Sequence, residues 1–538
     1  MACVGVAVRV VYLAVTEREF LQKQGNARSL RIETIPAYRG VIYDRQREPL
    51  ALSTPVASVW SDAKRQQWSS ATLRHVAKVL DLDAQALVSS QVQAGSRSFK
   101  YLKRRASWAE VEALKALQLS GMHFDAEYKR YYPASETAAH VVGITGIDDL
   151  GLEGVELAFD DRLRGRPGRK RVLKDRRGDT VDNLAYLEDA RGGQDLQLSL
   201  DLRLQFFAYR ELKAAVEGHQ AAAASAVVLD ANTGEILALV NQPSYNPNEK
   251  QSNDYRGKRN RAVTDTYEPG STVKPFTVLA ALESGDYEGN TLIDTAPGFL
   301  RVGNKLVEDP TNRGTISLQQ VLQKSSQVGI AKVALALPER AVYDVLARAG
   351  IGEFIGTGLP GEVVGTLTDA NLTNPVVRAT LAYGYGLSVS PLQLASAYLT
   401  LASGGKRIPL SILRRADHVP ATQAFDARLV RQVLEMMESV TSDAGTAPKA
   451  RVANFRVAGK TGTSRKLSNG AYDDQRHVAL FAGVAPVANP RLVVVVVVDE
   501  PQSDSVGGGA VAAPIFSRIA ARSLRLLGVP PDAPGARS

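Results

Sequence analysis

The pattern of hydrophobic and polar positions changes character along the chain. Up to residue 190 the sequence is charged, with short β-like runs such as SLRIETIPA and PVASVW and one clear helical pattern in WAEVEALKALQL. Two glycines, Gly192 and Gly193, then precede an alternating strand and the long helical pattern LRLQFFAYRELKAAVE. This change predicts a boundary within residues 188–201 and a separate structural region on each side of it.

The second region begins and ends with strand patterns. The run SAVVLDANTGEILALV contains two β segments joined by Asn232, Thr233 and Gly234, which predicts a hairpin. Two apolar runs near the C-terminus, HVALFAGVAP and LVVVVVVDEP, predict two more strands, and the valine run is typical of a strand that is covered on both faces. Mostly helical patterns lie between these strands, so we expect an α+β domain whose sheet is completed by the C-terminal strands. The Pro- and Gly-rich residues 527–538 predict a disordered tail.

Residues 1–15, MACVGVAVRVVYLAV, are apolar apart from Arg9. As a helix they would span about 22 Å, whereas the hydrocarbon core of a bilayer is about 30 Å thick. No small-x-small cleavage pattern follows, which argues against a removed signal peptide. We interpret the segment as a partial or short transmembrane anchor. The alternative is a buried first helix of a cytoplasmic protein.

Composition narrows the class of protein further. The 538 residues, 44% of them hydrophobic, suffice for two or more domains. The net charge of +9 comes from scattered Lys and Arg residues that are not interleaved with aromatics, which argues against a nucleic-acid partner. Cys3 is the only cysteine, and the six histidines lack metal-ligand spacing. We therefore expect neither a metal nor another cofactor.

The first candidate chemistry lies in YEPGSTVKPFTVLAALES. Ser271 and Lys274 are three residues apart at the start of a helical pattern, and such residues share one face of a helix. Pro275 is tolerated only in a first turn, so it predicts that Ser271 lies at the N-terminal tip of the helix. A serine needs a base to become a good nucleophile, and a lysine serves as that base only when burial or another cation lowers its pKa.

A cation for this purpose is present in VAGKTGTSRK, after a short β-like run. On a strand, Lys460 and Gly462 would face one side and Thr461 the other. Lys460 would supply charge for a substrate carboxylate, and Gly462 would let the substrate backbone lie close. The N–H groups of Thr463 and Ser271 would together face an oxyanion.

A third motif lies between these two, in LQKSSQVGIAK, where Ser325 and Gln327 follow a helical run and could line the remaining wall. Each motif alone is common by chance. Their order, at a helix tip, after a helix and on a strand, is the motif order of penicillin-binding proteins and class A β-lactamases. AGKTGT also ends like a phosphate-binding loop, but that motif requires Gly five residues before Gly459, where Asn454 stands.

The chain resembles a class B penicillin-binding protein of the septal, FtsI type over nearly its whole length. RGVIYDRQREPLA, KRYYPASETAAHVVGITG and GLEGVELAFDDRLRGRPG are similar to the family's non-catalytic pedestal. EPGSTVKPF, KSSQVGIAK, YGLSVSPLQLA and AGKTGT are similar to its transpeptidase domain. The resemblance implies an elongated, β-rich pedestal or dimerisation domain over residues 16–190. It also implies a serine β-lactamase-like domain over residues 191–526.

The resemblance also implies residue roles. Ser271 would be acylated by the penultimate D-Ala of a stem pentapeptide, with Lys274 as proton acceptor and Ser325 as the shuttle to the leaving amine. Lys460, with Thr461 and Thr463, would hold the substrate carboxylate. An amine of a neighbouring peptidoglycan strand would then attack the acyl-enzyme, and β-lactams should trap the serine.

The implied setting is the periplasmic face of the inner membrane, with a single-pass anchor and a septal glycosyltransferase and other division proteins as partners. The chain departs from the family pattern at Gln327, where the family has Asn, and at Gln46 and Arg47, where it has a Gly-containing turn. The anchor also looks truncated. Gln327 keeps open the hypothesis of a catalytically weak division scaffold, and an elongation-type paralogue also remains open. A secreted β-lactamase or carboxypeptidase is disfavoured because it would not need the long N-terminal half.

Overall fold

The structure is a computed structural model of the chain. The residues that it describes are 2–62, 68–93, 99–175, 180–249, 257–415, 420–468, 471–503 and 505–533.

The N-terminal half combines strands with mostly short helices. Its strands are β1 (Leu30–Ile35), β2 (Ile42–Tyr43), β3 (Pro49–Ser61), β4 (Lys100–Ala106), β5 (Met122–Tyr131), β6 (Gly168–Lys174), β7 (Thr180–Glu188) and β8 (Leu196–Gln197). Its helices are α1 (Ala2–Val15), α2 (Arg18–Ser29), α3 (Ser70–Val79), α4 (Ala84–Gln93), α5 (Trp108–Lys115), α6 (Ala139–Val142), α7 (Gly154–Ala158) and α8 (Asp160–Leu163).

Two sheets organise this half. One has the strand order β1-β6-β7, and the other has the order β4-β3-β2-β8 with β5 paired to β3. Apolar side chains of α3 and α5, among them Val76 and Leu114, pack with Val59 of β3 in a separate small core. Farther along, the buried Arg39 and Arg130 both donate to the carboxylate of the buried Glu156. This half is therefore the expected β-rich region, and it is held by an apolar core and a buried ion cluster.

The C-terminal half is helical between two sets of strands. Its strands are β9 (Ala223–Asp230), β10 (Ile236–Gln242), β11 (Leu292–Asp294), β12 (Phe299–Val302), β13 (Lys305–Glu308), β14 (Thr315–Ser317), β15 (Lys406–Arg407), β16 (Thr422–Gln423), β17 (Ala458–Ser468), β18 (Ala471–Ala485) and β19 (Leu492–Asp499). Its helices are α9 (Leu202–Gly218), α10 (Arg261–Thr264), α11 (Lys274–Ser284), α12 (Leu318–Gln323), α13 (Gln327–Ala336), α14 (Ala341–Arg348), α15 (Pro375–Ala382), α16 (Pro391–Ala402), α17 (Ala427–Glu438) and α18 (Ala512–Leu526).

The main sheet of this half has the order β10-β9-β19-β18-β17, and all neighbouring strands are antiparallel. The predicted hairpin is β9 and β10, and the valine run is the central strand β19, whose residues from Leu492 to Val498 are buried. Helices α9 and α18 pack together beside β10 and β19, and α16 packs on β9 and β19. The α+β prediction is confirmed, including completion of the sheet by the C-terminal strands. Strand β17 lies at the sheet edge and is the one that borders the candidate site.

The two chain ends differ from expectation in separate ways. Helix α1 exposes its apolar side chains, such as Val4 and Val15, so a buried first helix is wrong. Across the described ranges, none of the helices combines the length and apolar character needed to cross a bilayer. The tail predicted as disordered is attached to the domain as far as residue 533, because Asp532 accepts hydrogen bonds from the backbone of Arg456 and Ala488. Residues 534–538 lie outside the described residues.

Candidate active site

Ser271 lies in a 3₁₀ turn, Gly270–Val273, that continues directly into α11 at Lys274. Sequence reasoning placed the serine on the tip of the α-helix, and the structure adds this tighter turn in front of it. In a 3₁₀ turn, residues three apart are eclipsed, so Ser271 and Lys274 share one face more closely than in an α-helix. Pro275 occupies the first turn of α11, as predicted, where a missing N–H breaks no helical bond.

Contacts from two other elements hold this turn. Gly270 has a φ of 53° and donates to the carbonyl of Gly384 at 3.0 Å. A Cβ on Gly384 would lie 2.0 Å from the Gly270 oxygen, so only glycine permits this approach. The buried hydroxyl of Tyr398 donates to the carbonyl of Thr272 at 2.7 Å. The backbone of the turn that carries Ser271 is therefore fixed from two sides.

Ser325 connects the two lysines. The Lys274 ammonium donates to the Ser325 carbonyl at 2.6 Å and to its hydroxyl at 3.1 Å. Lys460 donates to the same hydroxyl at 3.0 Å. The structure thus joins Lys274, Ser325 and Lys460, one residue from each predicted motif, by direct hydrogen bonds. A hydroxyl in this position can pass a proton between its neighbours.

Both lysines are fully buried, and burial changes their charge. Burial is the main influence on the pKa of Lys274 and lowers it, Asp309 raises it and Arg313 lowers it, and together they bring the pKa to about 7. The pKa of Lys460 is also well below its ordinary value because of burial and of the charge on Lys274. The cation predicted to lower the pKa of the first lysine was Lys460, whereas burial is the main cause. At neutral pH a substantial fraction of Lys274 is a neutral amine and able to accept a proton.

Sequence reasoning missed Asp309, which follows β13. Its carboxylate accepts hydrogen bonds from the Ser326 hydroxyl at 2.5 Å and from the Gln327 N–H at 2.5 Å. These bonds cap the start of α13 beside Ser325, whose φ of 58° is a left-handed conformation that non-glycine residues rarely adopt. Asp309 therefore holds the strained turn that presents the Ser325 hydroxyl. No short-range signal marked it, because it precedes the motif by a whole strand and helix.

Gln327 begins α13, and its backbone N–H is the group bonded to Asp309. Its side chain is half-buried. Within the described residues, the Lys274 ammonium donates to Ser325 and not to the Gln327 amide. Although Gln replaces the family's Asn at position 327, the hydrogen bonds of Lys274 to this motif are made by Ser325.

Strand β17 carries the third motif. Thr461 bonds through its hydroxyl to the hydroxyl of Thr446 at 3.1 Å, and Lys460 approaches the same Thr461 oxygen at 3.2 Å. Gly462 was expected to admit the substrate backbone, but a Cβ there would lie 2.9 Å from Pro269 O and from Thr272 Cγ2. Gly462 thus lets β17 lie close to the turn that carries Ser271. This corrects its predicted role, because the neighbours that require glycine belong to the protein itself.

Thr463 lies at the exposed end of the same motif, and its hydroxyl accepts from the Gly508 N–H at 3.1 Å. Because β17 is the edge strand, one side of its backbone is not paired within the sheet. An edge strand can accept an extended peptide as an additional strand. The paired N–H groups of Ser271 and Thr463 as an oxyanion hole remain a prediction.

Across the described ranges, no group of three or more His, Cys, Asp or Glu residues is arranged to hold a metal ion. Beside the turn that carries Ser271, the structure holds a buried amine of lowered pKa, a bridging hydroxyl and a second buried lysine. With an antiparallel sheet flanked by helices, these define the class of serine β-lactamase-like acyl-transfer proteins.

Comparison with known proteins identifies the family. Residues 224–521 match the penicillin-binding protein transpeptidase domain, and residues 34–198 match the penicillin-binding protein dimerisation domain. The chain is 40% identical to the probable peptidoglycan D,D-transpeptidase PbpC of Pseudomonas aeruginosa, over 99% of this chain and 94% of that protein. It is also 40% identical to the peptidoglycan D,D-transpeptidase FtsI of Escherichia coli K12, over 98% and 90%. The chain belongs to the class B penicillin-binding proteins of the FtsI type.

A solved structure of a penicillin-binding protein has a similar fold. Penicillin-binding protein 3 of Mycobacterium tuberculosis in complex with aztreonam superposes with a TM-score of 0.71 at 27% identity, covering 93% of this chain and 99% of that one. The two-domain prediction, a pedestal followed by a transpeptidase domain, is therefore confirmed at the level of fold.

Proposed function

We propose that this protein is a peptidoglycan D,D-transpeptidase that cross-links stem peptides through an acyl-enzyme on Ser271. The observation that carries the proposal is the Lys274–Ser325–Lys460 connection beside the turn of the nucleophile. The names of the relatives from P. aeruginosa and E. coli support the same activity.

In the proposed reaction, the Ser271 oxygen attacks the carbonyl carbon of the penultimate D-Ala while neutral Lys274 takes the hydroxyl proton. The peptide C–N bond then breaks, and the terminal D-Ala leaves as its nitrogen receives a proton through the Ser325 hydroxyl. An amine of an acceptor strand attacks the ester carbonyl, which forms the cross-link and returns the proton to the serine oxygen. Lys460 and the threonines of β17 hold the terminal carboxylate of the donor.

The strand geometry supports this substrate. A stem peptide is extended, and the free edge of β17 beside the nucleophile offers backbone groups to such a chain. The same groups would align a β-lactam, whose carboxylate and amide carbonyl mimic the end of the peptide.

We also propose that the protein acts in septal wall synthesis at the periplasmic face of the inner membrane. Helix α1 supports an anchor because its apolar side chains are exposed around it, unlike those of a helix that packs on a protein core. The glycan strands would come from a separate glycosyltransferase.

Labelling of the full chain with a fluorescent penicillin tests the nucleophile. We expect covalent label on the wild type and on Ser284→Ala, a control at the end of the helix α11 that follows the turn of Ser271, and none on Ser271→Ala. Release of D-Ala from a stem pentapeptide, with cross-linked product when an amine acceptor is present, tests the activity. Absence of label and of D-Ala release from the wild type would overturn the enzyme in favour of the scaffold hypothesis.

A further inference from the structure

A row of ring side chains crosses one face of the pedestal sheet that contains β3. Tyr101 of β4, Trp60 of β3 and His123 of β5 are paired across the three strands. Val59 and Phe124, which are paired with each other on β3 and β5, contribute to the small pedestal core. Because side chains alternate between the two faces of a strand, the row lies on the face that points away from this core.

The rings contact one another directly. Trp60 stacks on His123 with ring centroids 4.2 Å apart, and its centroid lies 4.8 Å from that of Phe99. Phe99 meets Tyr101 edge to face at 4.7 Å. The indole N–H of Trp60 donates to the Asp125 carboxylate at 2.8 Å, which fixes the orientation of the ring. Trp60, Phe99, Tyr101 and His123 therefore form one continuous aromatic platform.

Part of the aromatic platform is open to solvent. Phe99 and Tyr101 are each 45% exposed. An aromatic side chain has about 150–250 Å² of surface, so these two rings expose on the order of 200 Å². A stable protein interface takes about 800 Å² from each partner. The exposed rings are therefore too small a surface to hold a protein partner by themselves, whereas they are wide enough to cover a sugar ring.

Hydrogen-bonding groups border the platform. The exposed Asp125 accepts from Trp60 through one carboxylate oxygen, Oδ2. The Arg104 guanidinium lies 5.6 Å from the centre of the Tyr101 ring and is paired with Glu127 at 2.9 Å. Sugar hydroxyls can donate to a carboxylate and accept from a guanidinium, and the C–H groups on the face of a sugar ring are attracted to the negative face of an aromatic ring. The platform offers both kinds of contact.

We propose that the aromatic platform binds the glycan strand of peptidoglycan through its N-acetylated hexosamine rings. The binding follows from the surface itself, and its biological role rests on the proposed function, whose substrate peptides are attached to such a glycan. A strand held on the pedestal stays with the enzyme while its stem peptides reach the transpeptidase half. A second copy of this chain is the competing occupant, and the exposed area argues against it.

Binding is measured with a glycan that carries no peptide. Saturation-transfer NMR with the full chain would use chitotetraose, an oligomer of N-acetylglucosamine. We expect saturable binding that an excess of free stem pentapeptide does not displace, because the peptide is proposed to bind at β17 and not on the pedestal. No saturable signal would overturn the proposal. Displacement by the peptide would place the glycan in the catalytic cleft and would overturn it as well.

Variants locate the site. Phe99→Ala and Tyr101→Ala each remove an exposed ring, and each should weaken binding of chitotetraose by at least about fivefold. Tyr186→Ala is the matched control, because it removes a tyrosine that is 68% exposed on β7 of the other pedestal sheet. Should one platform variant fail to fold, the other still decides. Unchanged binding in the folded platform variants, or equal loss in the control, would overturn the assignment.

Sedimentation velocity on the same proteins tests the competing occupant. The wild type and Tyr101→Ala should sediment alike, because the platform is assigned to a glycan and not to a second copy. Self-association of the wild type that is lost in Tyr101→Ala and kept in Tyr186→Ala would assign the platform to a second copy. That result would overturn the glycan assignment.

The biological role has its own measurement. Tyr101→Ala should slow the cross-linking of glycan-linked pentapeptide strands by at least about threefold, whereas D-Ala release from the free pentapeptide should be unchanged. Equal loss with both substrates, or no loss with the strands, would overturn the role in holding the polymer. Absence of D-Ala release from the wild type would instead count against the proposed function, and the chitotetraose titration would still decide the binding site.

Discussion

Two buried cationic clusters in this protein are built in opposite ways. In the pedestal, Arg39 and Arg130 donate to the two carboxylate oxygens of Glu156 at 2.5 and 2.6 Å, and all three side chains are almost fully buried. In the transpeptidase half, Lys274 and Lys460 are equally buried, but their hydrogen bonds go to neutral oxygens. One cluster is compensated by a carboxylate within bonding distance, and the other is not.

The difference shows how pairing decides what a buried cation does. Burial acts against the charge of Arg39, yet Glu156 and Asp160 raise its pKa overall, so it remains a permanent cation that joins segments of the pedestal. Burial lowers the pKa of Lys274, and the charge of Asp309, which is not hydrogen-bonded to the lysine, offsets this only in part, so the pKa is about 7. A paired buried cation keeps its charge and can hold segments of the fold together. An unpaired buried lysine has a lowered pKa and can accept and release a proton.

The largest expected effect comes from removing the unpaired lysine. Lys274→Met should slow acylation by a fluorescent penicillin by about 10³-fold or more, because the proposed general base is lost. It should not destabilise the fold near neutral pH, since an apolar side chain replaces a poorly compensated amine. Stopped-flow labelling and thermal unfolding measure the two effects. A variant that unfolds easily would mean that this lysine is structural after all.

The pH dependence of the unfolding free energy provides a second test of the unpaired Lys274. Between about 7 and the ordinary lysine value of 10.5, the unfolded chain binds a proton at Lys274 that the folded chain does not. The free energy of unfolding should therefore rise with pH across this window. In Lys274→Met this part of the rise should disappear.

Removing the carboxylate of the paired cluster should have the opposite outcome. Glu156→Ala removes the carboxylate that Arg130 is paired with and leaves Arg39 with Asp160 alone, and we expect a loss of about 3–5 kcal/mol of unfolding free energy. Tryptophan fluorescence during urea unfolding reports on this half, because Trp60, Trp68 and Trp108 are the only tryptophans. Glu188→Ala, which breaks the exposed pair with Arg169, is the control and should leave the transition in place. A small loss of unfolding free energy in Glu156→Ala would mean that the paired cluster does not stabilise the pedestal in the way this comparison requires.

A smaller effect is expected in the pH dependence of acylation. The rate should rise about tenfold per pH unit below the pKa of Lys274, near 7, and then level off as the amine becomes neutral. Asp309 raises that pKa, so Asp309→Asn should move the midpoint to lower pH. The exposed Asp443, changed to Asn, is the control and should leave the midpoint where it is. An unmoved midpoint in Asp309→Asn would limit this residue to capping α13.

The sequence predicted what local patterns determine. The hairpin of β9 and β10, helix α9 and the central valine strand follow from apolar periodicity, and the position of Ser271 follows from Pro275. Family resemblance supplied the pedestal and the order of the motifs. These features depend on residues close together in the chain, which is why they could be predicted.

Features that depend on distant residues were missed or misassigned. The pedestal cluster joins Arg39 to Glu156 across 117 positions, and no periodicity links them. The role of Gly462 depends on Pro269 and Thr272, which approach it only in the folded protein. Asp309 precedes the second motif by a strand and a helix, so no local pattern connects the two. In each case the tertiary neighbour, rather than the local pattern, determines why the residue is needed.

The smallest expected effect concerns Gln327, the departure that kept the scaffold hypothesis open. Its N–H is bonded to Asp309, a contact that any residue with a backbone N–H would make, and Lys274 is contacted by Ser325. Gln327→Asn should therefore leave the acylation rate equal or raise it by no more than about threefold, since a shorter amide of the same kind remains. Stopped-flow labelling measures the rate, and the pH midpoint should not move, unlike that of Asp309→Asn. A large loss of rate would mean that the unpaired lysine cluster is arranged around Gln327, and that its amide, not Ser325 alone, controls the catalytic amine.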